Sequence, residues 1–374
     1  MATGWPMKTT YANGDVYSAS DVNDITGTIN LLGSSVAYTA GKNKFINGNY
    51  FVNQRNFSSS TSSGIFFADR IKGNHDAGSG TVTYSIQQFT PGTAPVTGYE
   101  AKQYGRIVTT GQTLAGTYTV MGQAVEDVRT LAGQTATISF WAKAASGTPK
   151  IALEIEQVFG TGGSPSSSVR TYLNQVTIST SWARYSITAT IPSISGKTIG
   201  TTANTSYLDF IFWVSGGSTY NANTGSIGIQ SNTFDFWGLQ VEQGSTATAF
   251  QTATGTIQGE LAACQRYYFR VTTASTGYVD FGQGTGSADN LYPDIVMPVS
   301  MRVSPTSIDT SAMATYQWYN ALGSGNTPTS ITLSDASTNV VKLAVNKTAG
   351  FTSGRPYSFG QNNTTAYLGF SAEL

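Results

Sequence analysis

The residues best placed to bind a ligand are aromatic rings and a carboxylate in one strand-like segment. Residues 207–214 (YLDFIFWV) alternate in such a way that Tyr207, Asp209 and Trp213 share one face of a strand. Tyr220 follows in a loop rich in glycine and asparagine. Aromatic rings with a polar edge suit interfaces, and sugars present flat C–H faces to rings and hydroxyls to carboxylates and amides. The cluster predicts a saccharide-binding surface, but it fits a contact between subunits better still, so both interpretations stay open.

Two glutamates have a spacing that could support acid–base chemistry. Glu154 and Glu156 lie two apart on one strand face beside Lys150, and strand rise alone separates their side chains by roughly 6–7 Å. That separation overlaps the carboxylate spacings of glycosidases. Glycosidase carboxylates, however, usually face each other across a cleft, and burial raises the pKa of one of them. Adjacent glutamates on an exposed strand provide neither feature, so we interpret them as a solvated polar face and expect no enzymatic activity.

The single histidine and the single cysteine exclude several classes of site. One cysteine cannot form an intrachain disulfide, and one histidine excludes polyhistidine metal centres. His75 lies among glycine, asparagine and aspartate residues, which predicts an exposed turn. Cys264 has apolar neighbours and is interpreted as a packing residue. The glycine-rich loops lack the spacing of nucleotide-binding motifs, so no cofactor is expected.

Charge is scarce in this chain and it is balanced. The 374 residues include 41 glycines, and only 11% are charged, with 20 basic and 20 acidic side chains. A net charge of zero gives no general attraction to nucleic acid or to an anionic membrane. No apolar run approaches the roughly 18–20 residues of a transmembrane helix, and the N-terminal residues lack the apolar core of a signal peptide. The expected surface is rich in hydroxyls and amides, or is partly hidden in an assembly.

The elements that position these side chains are predicted to be strands. Segments 135–144, 183–191 and 207–214 alternate apolar and polar residues, and polar loops connect them. A period of two is typical of half-buried strands, and several such strands with polar connections indicate an all-β sandwich. The predicted layout is an N-terminal arm at 1–42, a large β domain at 43–252, a connector at 253–270 and a smaller β domain at 271–374.

Two segments break the strand pattern. The apolar residues that recur at helical spacing near the N-terminus are Val22, Ile25, Ile29 and Leu32. They predict a weak amphipathic helix that cannot bury its apolar stripe alone, so we expect the arm to anchor on a partner or on copies of itself. Residues 257–270 predict a short helix or turn between the two β domains.

Segments with distinctive sequences occur in order along most of the chain. They are GDVYSASDVNDITGTIN (14–30), FINGNYFVNQRNF (45–57), GQAVEDVRTLAGQTATISFWAKA (122–144), TFDFWGLQVEQGSTATAFQ (233–251), GELAACQRYYFR (259–270), YPDIVMPVSMRVSPT (292–306) and AYLGFSAEL (366–374). Together they resemble a family of structural proteins of tailed phages, mostly tail-fibre and minor tail proteins. The resemblance implies that the large domain is a carbohydrate-binding-like jelly roll and that the arm attaches to other virion proteins.

The same resemblance implies a function and an assembly. The protein would be a non-enzymatic virion component, made in the host cytoplasm, that acts as a tail fibre or tail tip and contacts host-surface glycans. Such proteins usually form homotrimers, and the aromatic residues then expected at subunit contacts in the last domain are Tyr316, Trp318, Tyr319 and Phe351. One alternative is a head or neck decoration fibre without a receptor role. A polysaccharide-degrading spike is a further alternative, disfavoured because the chain has no long repetitive pattern.

A structural calcium ion is also implied by the resemblance. Jelly rolls of this type often hold Ca²⁺ between their first and last strands, and the matching positions here are Asn47 and Asp235. Calcium takes six to eight oxygen ligands. The first of these segments offers amides where carboxylates are usual, so the ligand set departs from the family pattern.

Overall fold

A computed structural model gives the structure of residues 40–97, 99–272, 279–320, 323–324, 327–347 and 351–374. The described residues form four antiparallel sheets with a few short helical turns, which confirms the predicted all-β fold. The predicted arm helix, with Val22, Ile25, Ile29 and Leu32, lies outside the described residues.

Two six-stranded sheets build the large domain, a jelly-roll sandwich. Sheet A contains, in spatial order, β1 (Ser59–Ser60), β4 (Thr81–Gln88), β5 (Gln103–Thr110), β12 (Asn232–Gln243), β7 (Thr135–Ala144) and β10 (Ala183–Thr190). Sheet B contains β2 (Ile65–Ala68), β3 (Ile71–Asp76), β6 (Tyr118–Val125), β11 (Tyr207–Gly216), β8 (Lys150–Val158) and β9 (Val169–Thr177). The chain passes repeatedly from one sheet to the other, so each sheet combines strands that are distant in sequence.

The core between these sheets follows from the alternation of side chains along each strand. Phe140 of β7 and Phe212 of β11 point inward and meet edge to face, with ring centroids 5.3 Å apart. Phe210 and Phe45 pack beside them in the same way, at 5.4 Å. Burial of each such ring contributes about 1.5–3 kcal/mol to folding.

The outer face of sheet A carries a second aromatic layer. Trp141 and Trp237 are opposite each other in the register of β7 and β12, and both rings are buried. Phe89, Tyr99 and Phe250, from two connecting segments, pack over Trp237 with centroid distances of 6.4, 5.3 and 4.9 Å. The chain itself therefore covers the rings on this side of the sandwich.

The C-terminal domain contains the two remaining sheets. The α-helices are short: α1 (Asn221–Thr224) follows β11, and α2 (Ile257–Gln265) lies between the domains. Single 3₁₀ turns occur at Ser218–Tyr220 and Met313–Thr315. Sheet C contains β13 (Tyr268–Thr272), β22 (Tyr367–Ser371) and β16 (Ser307–Thr310). Sheet D contains β18 (Gly323–Ser324), β17 (Tyr316–Asn320), β21 (Pro356–Gln361), β14 (Asp280–Ser287), β15 (Asn290–Val296), β20 (Val340–Asn346) and β19 (Ser330–Ala336).

The core of the C-terminal domain corrects one prediction. Tyr316, Trp318 and Phe351 are buried among the apolar residues of their own domain, and Tyr319 is half-buried. Trp318 and Phe351 contact each other with ring centroids 4.7 Å apart. The interpretation of these three buried rings as subunit contacts was wrong, because the aromatic pattern of a strand does not reveal which sheet face its own domain covers.

Arginines connect the two domains along their interface, which is called the seam below. Glu373, just after β22, forms ion pairs with Arg55 and Arg70 of the sandwich. Arg302 donates to the carbonyls of Asn204 and Glu373, which lie on opposite sides of the seam. The five seam arginines are Arg55, Arg70, Arg266, Arg270 and Arg302. They are half of the ten arginines in the chain.

Candidate functional site

The outer face of sheet B forms the floor of an open cleft. In β11, Leu208, Phe210, Phe212 and Val214 point into the core, and the residues between them therefore point outward. Asp209 and Trp213 are two of these outward residues. The cleft above them has a volume of about 440 Å³, and the residues of its walls determine which ligands it can bind.

The middle of the cleft floor is formed by small residues. Gly122 and Ala124 of β6 lie opposite Ile211 and Asp209 of β11 in the strand register. On its other side, Gly122 lies opposite Lys72 of β3. Gly122 adds no side chain to the floor, and Lys72, Gly122, Asp209 and Ile211 all line the cleft.

One end of the cleft is aromatic. The 3₁₀ turn after β11 brings Tyr220 back over the sheet, where its ring centroid lies 5.1 Å from that of Trp213 and 5.3 Å from that of Tyr118. α1 then places Asn223 at the same end of the cleft. Tyr118 and Tyr220 stay partly exposed, whereas Trp213 is only 2% exposed beneath them. The result is a wall of rings with amide and phenol groups at its rim.

A buried carboxylate holds this aromatic wall in place. Glu154 of β8 is fully buried, and its oxygens accept hydrogen bonds from the indole nitrogen of Trp213 at 3.0 Å and from the amide of Asn223. Arg170 of β9 approaches the same carboxylate at 3.3 Å. Burial raises the pKa of Glu154, and these donors partly counter that rise. The prediction of a solvated face was therefore wrong for Glu154, since the loop after β11 covers it.

The opposite end of the cleft is charged. Arg170 forms a second ion pair there with Glu156, at 2.5 Å. Arg70 is buried, pairs with Glu373 and stacks on the ring of Tyr267, with its guanidinium carbon 3.4 Å from the ring centroid. The two arginines are thus fixed by protein groups, and one of those groups belongs to the C-terminal domain.

Asp209 differs from the other charged residues of the floor. In the described part of the chain its carboxylate has no hydrogen-bond donor and no ion pair, although it is half-buried. Burial and the neighbouring Glu156 raise the pKa of Asp209 to about 6, and Lys72 and Arg170 act in the opposite direction. A carboxylate in this state can accept hydrogen bonds from a ligand without giving up a protein partner.

The cleft brings the predicted binding residues together. All four, namely Tyr207, Asp209, Trp213 and Tyr220, are among its lining residues. The other lining residues are Phe66, Arg70, Lys72, Asn74, Tyr118, Val120, Met121, Gly122, Ala124, Arg170, Ile211, Asn223 and Leu374. Ligand binding by the predicted four stays a prediction, but the structure gives them a common site.

Several residues that line the cleft were not predicted from the sequence. Lys72, Tyr118 and Arg170 come from β3, β6 and β9, which reach β11 only through the pairing of strands distant in sequence. The alternation of β6, in which Tyr118, Val120 and Gly122 share a face, was the one available signal.

The two residues assigned to calcium have other partners. The Asn47 amide oxygen accepts from the Val52 backbone at 2.8 Å, and its nitrogen donates to the carbonyls of Val52 and Asp69. Asp235 forms a bidentate pair with Arg106 at 2.7 and 2.9 Å. These donors and acceptors are already used and share no partner, so they do not fit a calcium site. The described residues also contain no group of three or more His, Cys, Asp or Glu side chains arranged to hold a metal.

The histidine and the cysteine also have structural surroundings. His75 lies in β3, where its ring packs on Tyr84 at 5.6 Å between centroids, so the predicted exposed turn was wrong. Cys264 is fully buried in α2, as expected of a packing residue, and burial raises the pKa of its thiol. Of the helices in the described ranges, none has the length and apolar character needed to cross a membrane.

Comparison with known proteins shows that this chain is similar to some solved structures in fold. No protein-family model and no curated protein matches the sequence. The enzymatically active domain of tailspike protein 4 from bacteriophage CBA120 is 14% identical over 54% of this chain and 21% of the tailspike chain, with a TM-score of 0.30. The match thus spans about a fifth of that tailspike chain.

Carbohydrate-binding modules are also among the similar structures. The family 11 module from Clostridium thermocellum is 11% identical over 52% of this chain and 99% of its own, with a TM-score of 0.30. A xylan-binding domain from Paenibacillus barcinonensis is 15% identical over 47% of this chain and 92% of its own, with a TM-score of 0.29. At these levels the likeness concerns the β-sandwich alone.

Proposed function

We propose that the sheet B cleft binds saccharides. The observation that carries this proposal is the half-buried Asp209 carboxylate, which has no partner among the described residues and lies in a cleft walled by Tyr118, Tyr220 and Trp213. Rings offer flat apolar faces, and a free carboxylate accepts strong hydrogen bonds from hydroxyls. Saccharides present both kinds of group side by side.

The cleft is proposed to bind its ligand without cleaving it. Asp209 and Glu156 are register neighbours on one floor, and Glu154 lies on the same face of the sheet. Hydrolysis of a glycosidic bond usually needs two carboxylates on opposite sides of that bond. Glu154 is in addition occupied by Trp213 and Asn223, so the floor offers no facing pair.

We further propose that the chain is a virion component of a tailed phage, in a tail fibre or tail tip that presents this cleft to host glycans. Support comes from the sequence resemblance of residues 122–144, 233–251 and 259–270, which occur in the family's order. The proposed assembly is a homotrimer that attaches through the N-terminal arm. Several weak saccharide sites in one particle would then act together.

Calorimetry against a panel of defined oligosaccharides tests the saccharide proposal. We expect the purified chain to bind at least one neutral oligosaccharide. Tyr220→Ala should weaken that binding about tenfold, because a stacked ring contributes roughly 1–1.5 kcal/mol. Tyr292→Ala is the matched control, since Tyr292 is a half-buried tyrosine of β15 in the other domain. Equal affinities of the two variants would contradict the assignment of the cleft.

Two further measurements test the biological setting. Release of reducing ends from host polysaccharide by the purified chain would contradict binding without cleavage. Gold labelling of the chain on particles, combined with blocking of adsorption by free protein, separates a receptor-binding fibre from a head or neck decoration. Light scattering of the purified chain gives the oligomeric state, and a monomer at micromolar concentration would contradict the trimer.

A further inference from the structure

The charged groups of the cleft are of two kinds. Arg170 is neutralised by Glu156 and Glu154, and Arg70 is neutralised by Glu373 across the seam. These cations line the cleft, but their charge is already balanced by carboxylates of the protein. They therefore add little net attraction for an anionic ligand.

Asp209 and Lys72 are of the second kind. Within the described residues, neither side chain forms an ion pair, and the Lys72 ammonium lies over the Phe66 ring, whose centroid is 5.7 Å away. Strand β6 separates the two, and its Gly122 lies directly opposite Lys72. A Cβ atom at Gly122 would lie 2.6 Å from the Phe210 carbonyl oxygen and 3.4 Å from an Asp209 carboxylate oxygen, so only glycine fits at this point of the floor. Lys72, Gly122 and Asp209 all line the cleft.

This arrangement restricts the charge of a ligand. A carboxylate or sulfate on a sugar would meet Asp209, with Glu156 behind it, at short range. An ammonium group would meet Lys72. An uncharged sugar avoids both repulsions, because one hydroxyl can donate to Asp209 while a neighbouring hydroxyl accepts from Lys72.

Resting on the proposed saccharide binding, we propose that the cleft selects uncharged saccharides with neighbouring free hydroxyls and rejects acidic ones, through the unpaired charges of Asp209 and Lys72 on either side of Gly122. The rings at the other end supply contact area but do not sense ligand charge. Specificity is then a property of the floor, and affinity is shared between floor and wall.

Calorimetry with matched neutral and acidic probes tests this selection. The probes are gluco-, manno- and xylo-oligosaccharides, and oligogalacturonate and oligoglucuronate of equal length. We expect the wild-type chain to bind a neutral probe at least about tenfold more tightly than any uronate. Asp209→Asn keeps the shape but removes the charge, so it should weaken neutral binding about tenfold and bring uronate binding up to a similar affinity. Lys72→Met should weaken neutral binding without admitting uronates.

Controls and alternative variants keep the outcome clear. Asp294→Asn and Lys342→Met change exposed residues of the C-terminal domain and should leave both affinities unchanged. Asp209→Ser provides a second charge-removing variant in case Asp209→Asn fails to fold, as checked by circular dichroism. If no saccharide binds the wild-type chain, the proposed function itself fails. If uronates bind the wild-type chain as tightly as neutral probes, or if removing the Asp209 charge leaves the discrimination intact, saccharide binding stands and the charge selection is overturned.

Discussion

The outer faces of the two sandwich sheets are similar in composition and different in what lies over them. On sheet A, Trp141 and Trp237 are buried beneath Phe250 and other residues of two connecting segments. On sheet B, the loop after β11 covers Trp213 but leaves Tyr118 and Tyr220 at the edge of an open cleft. The two faces thus use the same ring chemistry, in one case for packing and in the other for a wall.

The charged residues of the two faces differ in a related way. On sheet A, the Asp235 carboxylate is held by Arg106, with Lys143 nearby at 3.7 Å. On sheet B, Asp209 faces the cleft with no such partner among the described residues. Aromatic and acidic content alone therefore does not locate a site. What matters is whether the chain has already covered the rings and paired the charges.

The largest effect should come from removing a covered ring. Trp237→Ala is expected to lower the free energy of unfolding by about 3–5 kcal/mol, because the fully buried indole leaves a cavity under Phe250. Urea denaturation measures this loss. Protein that remains folded should bind saccharide like the wild type, and a loss of binding without a loss of stability would break the contrast between the faces.

A slightly smaller loss should follow from removing the buried support of the open wall. Glu154→Ala leaves the Trp213 indole and the Asn223 amide without their acceptor, which should cost about 2–4 kcal/mol of unfolding free energy. Saccharide affinity should fall at the same time, because Tyr220 loses its positioned loop. Glu154→Gln keeps one acceptor oxygen and should lose less of both. Wild-type affinity in Glu154→Ala would show that the wall does not depend on this carboxylate.

The pH dependence of stability should distinguish the two faces further. Asp209 is surrounded by Glu156 on β8, Lys72 on β3, Arg170 on β9 and Arg70 before β3, and its pKa is raised from 3.8 to about 6. The fold therefore binds this proton more tightly than the unfolded chain does. Its contribution is present at low pH and is lost as pH rises from about 4 to 6, by at most about 3 kcal/mol.

Thermal unfolding of Asp209→Asn between pH 4 and 7 measures this contribution. The stability of the variant relative to the wild type should increase with pH across that range, because the variant has no charge to bury. Asp294→Asn, which changes an exposed carboxylate, should show a flat difference. A flat difference for Asp209→Asn as well would mean that its carboxylate is solvated like a surface group.

The smallest effect should come from a half-buried ring on the covered side. Trp182 lies next to Phe89 and Tyr104, with centroid distances of 5.6 and 5.4 Å. Trp182→Ala should cost about 1–2 kcal/mol of unfolding free energy and leave saccharide affinity within about twofold of the wild type. Calorimetry on the folded variant checks this, and a large loss of affinity would move the site to sheet A.

Much of the fold could be predicted because the strands alternate clearly. The period of two in β11 placed Tyr207, Asp209 and Trp213 on one face, and in the structure these residues line the cleft while Phe210 and Phe212, on the other face, lie in the core. Alternation gives the two faces of a strand, but it does not say what lies over each face. The buried rings of the C-terminal domain were misplaced for that reason.

The candidate site could be predicted only in part. Tyr207, Asp209 and Trp213 lie on one strand and were visible together, whereas Lys72 and Arg170 reach the cleft through pairing between distant strands. Such pairing depends on the whole sandwich, and no local pattern encodes it. The residues named for calcium show a similar limit, since the ion pair of Asp235 with Arg106 is a contact between strands far apart in sequence.

The arginine seam also affects how much charge the surface of this protein carries. Half of its arginines are directed into contacts between the domains, so the open surface carries even fewer charges than the composition alone suggests. Two copies in solution will feel little electrostatic repulsion, and their colloidal behaviour should change little with ionic strength. The ring contacts proposed for the cleft would keep their strength from fresh water to sea water, and a loss of saccharide affinity with added salt would come from Asp209 and Lys72.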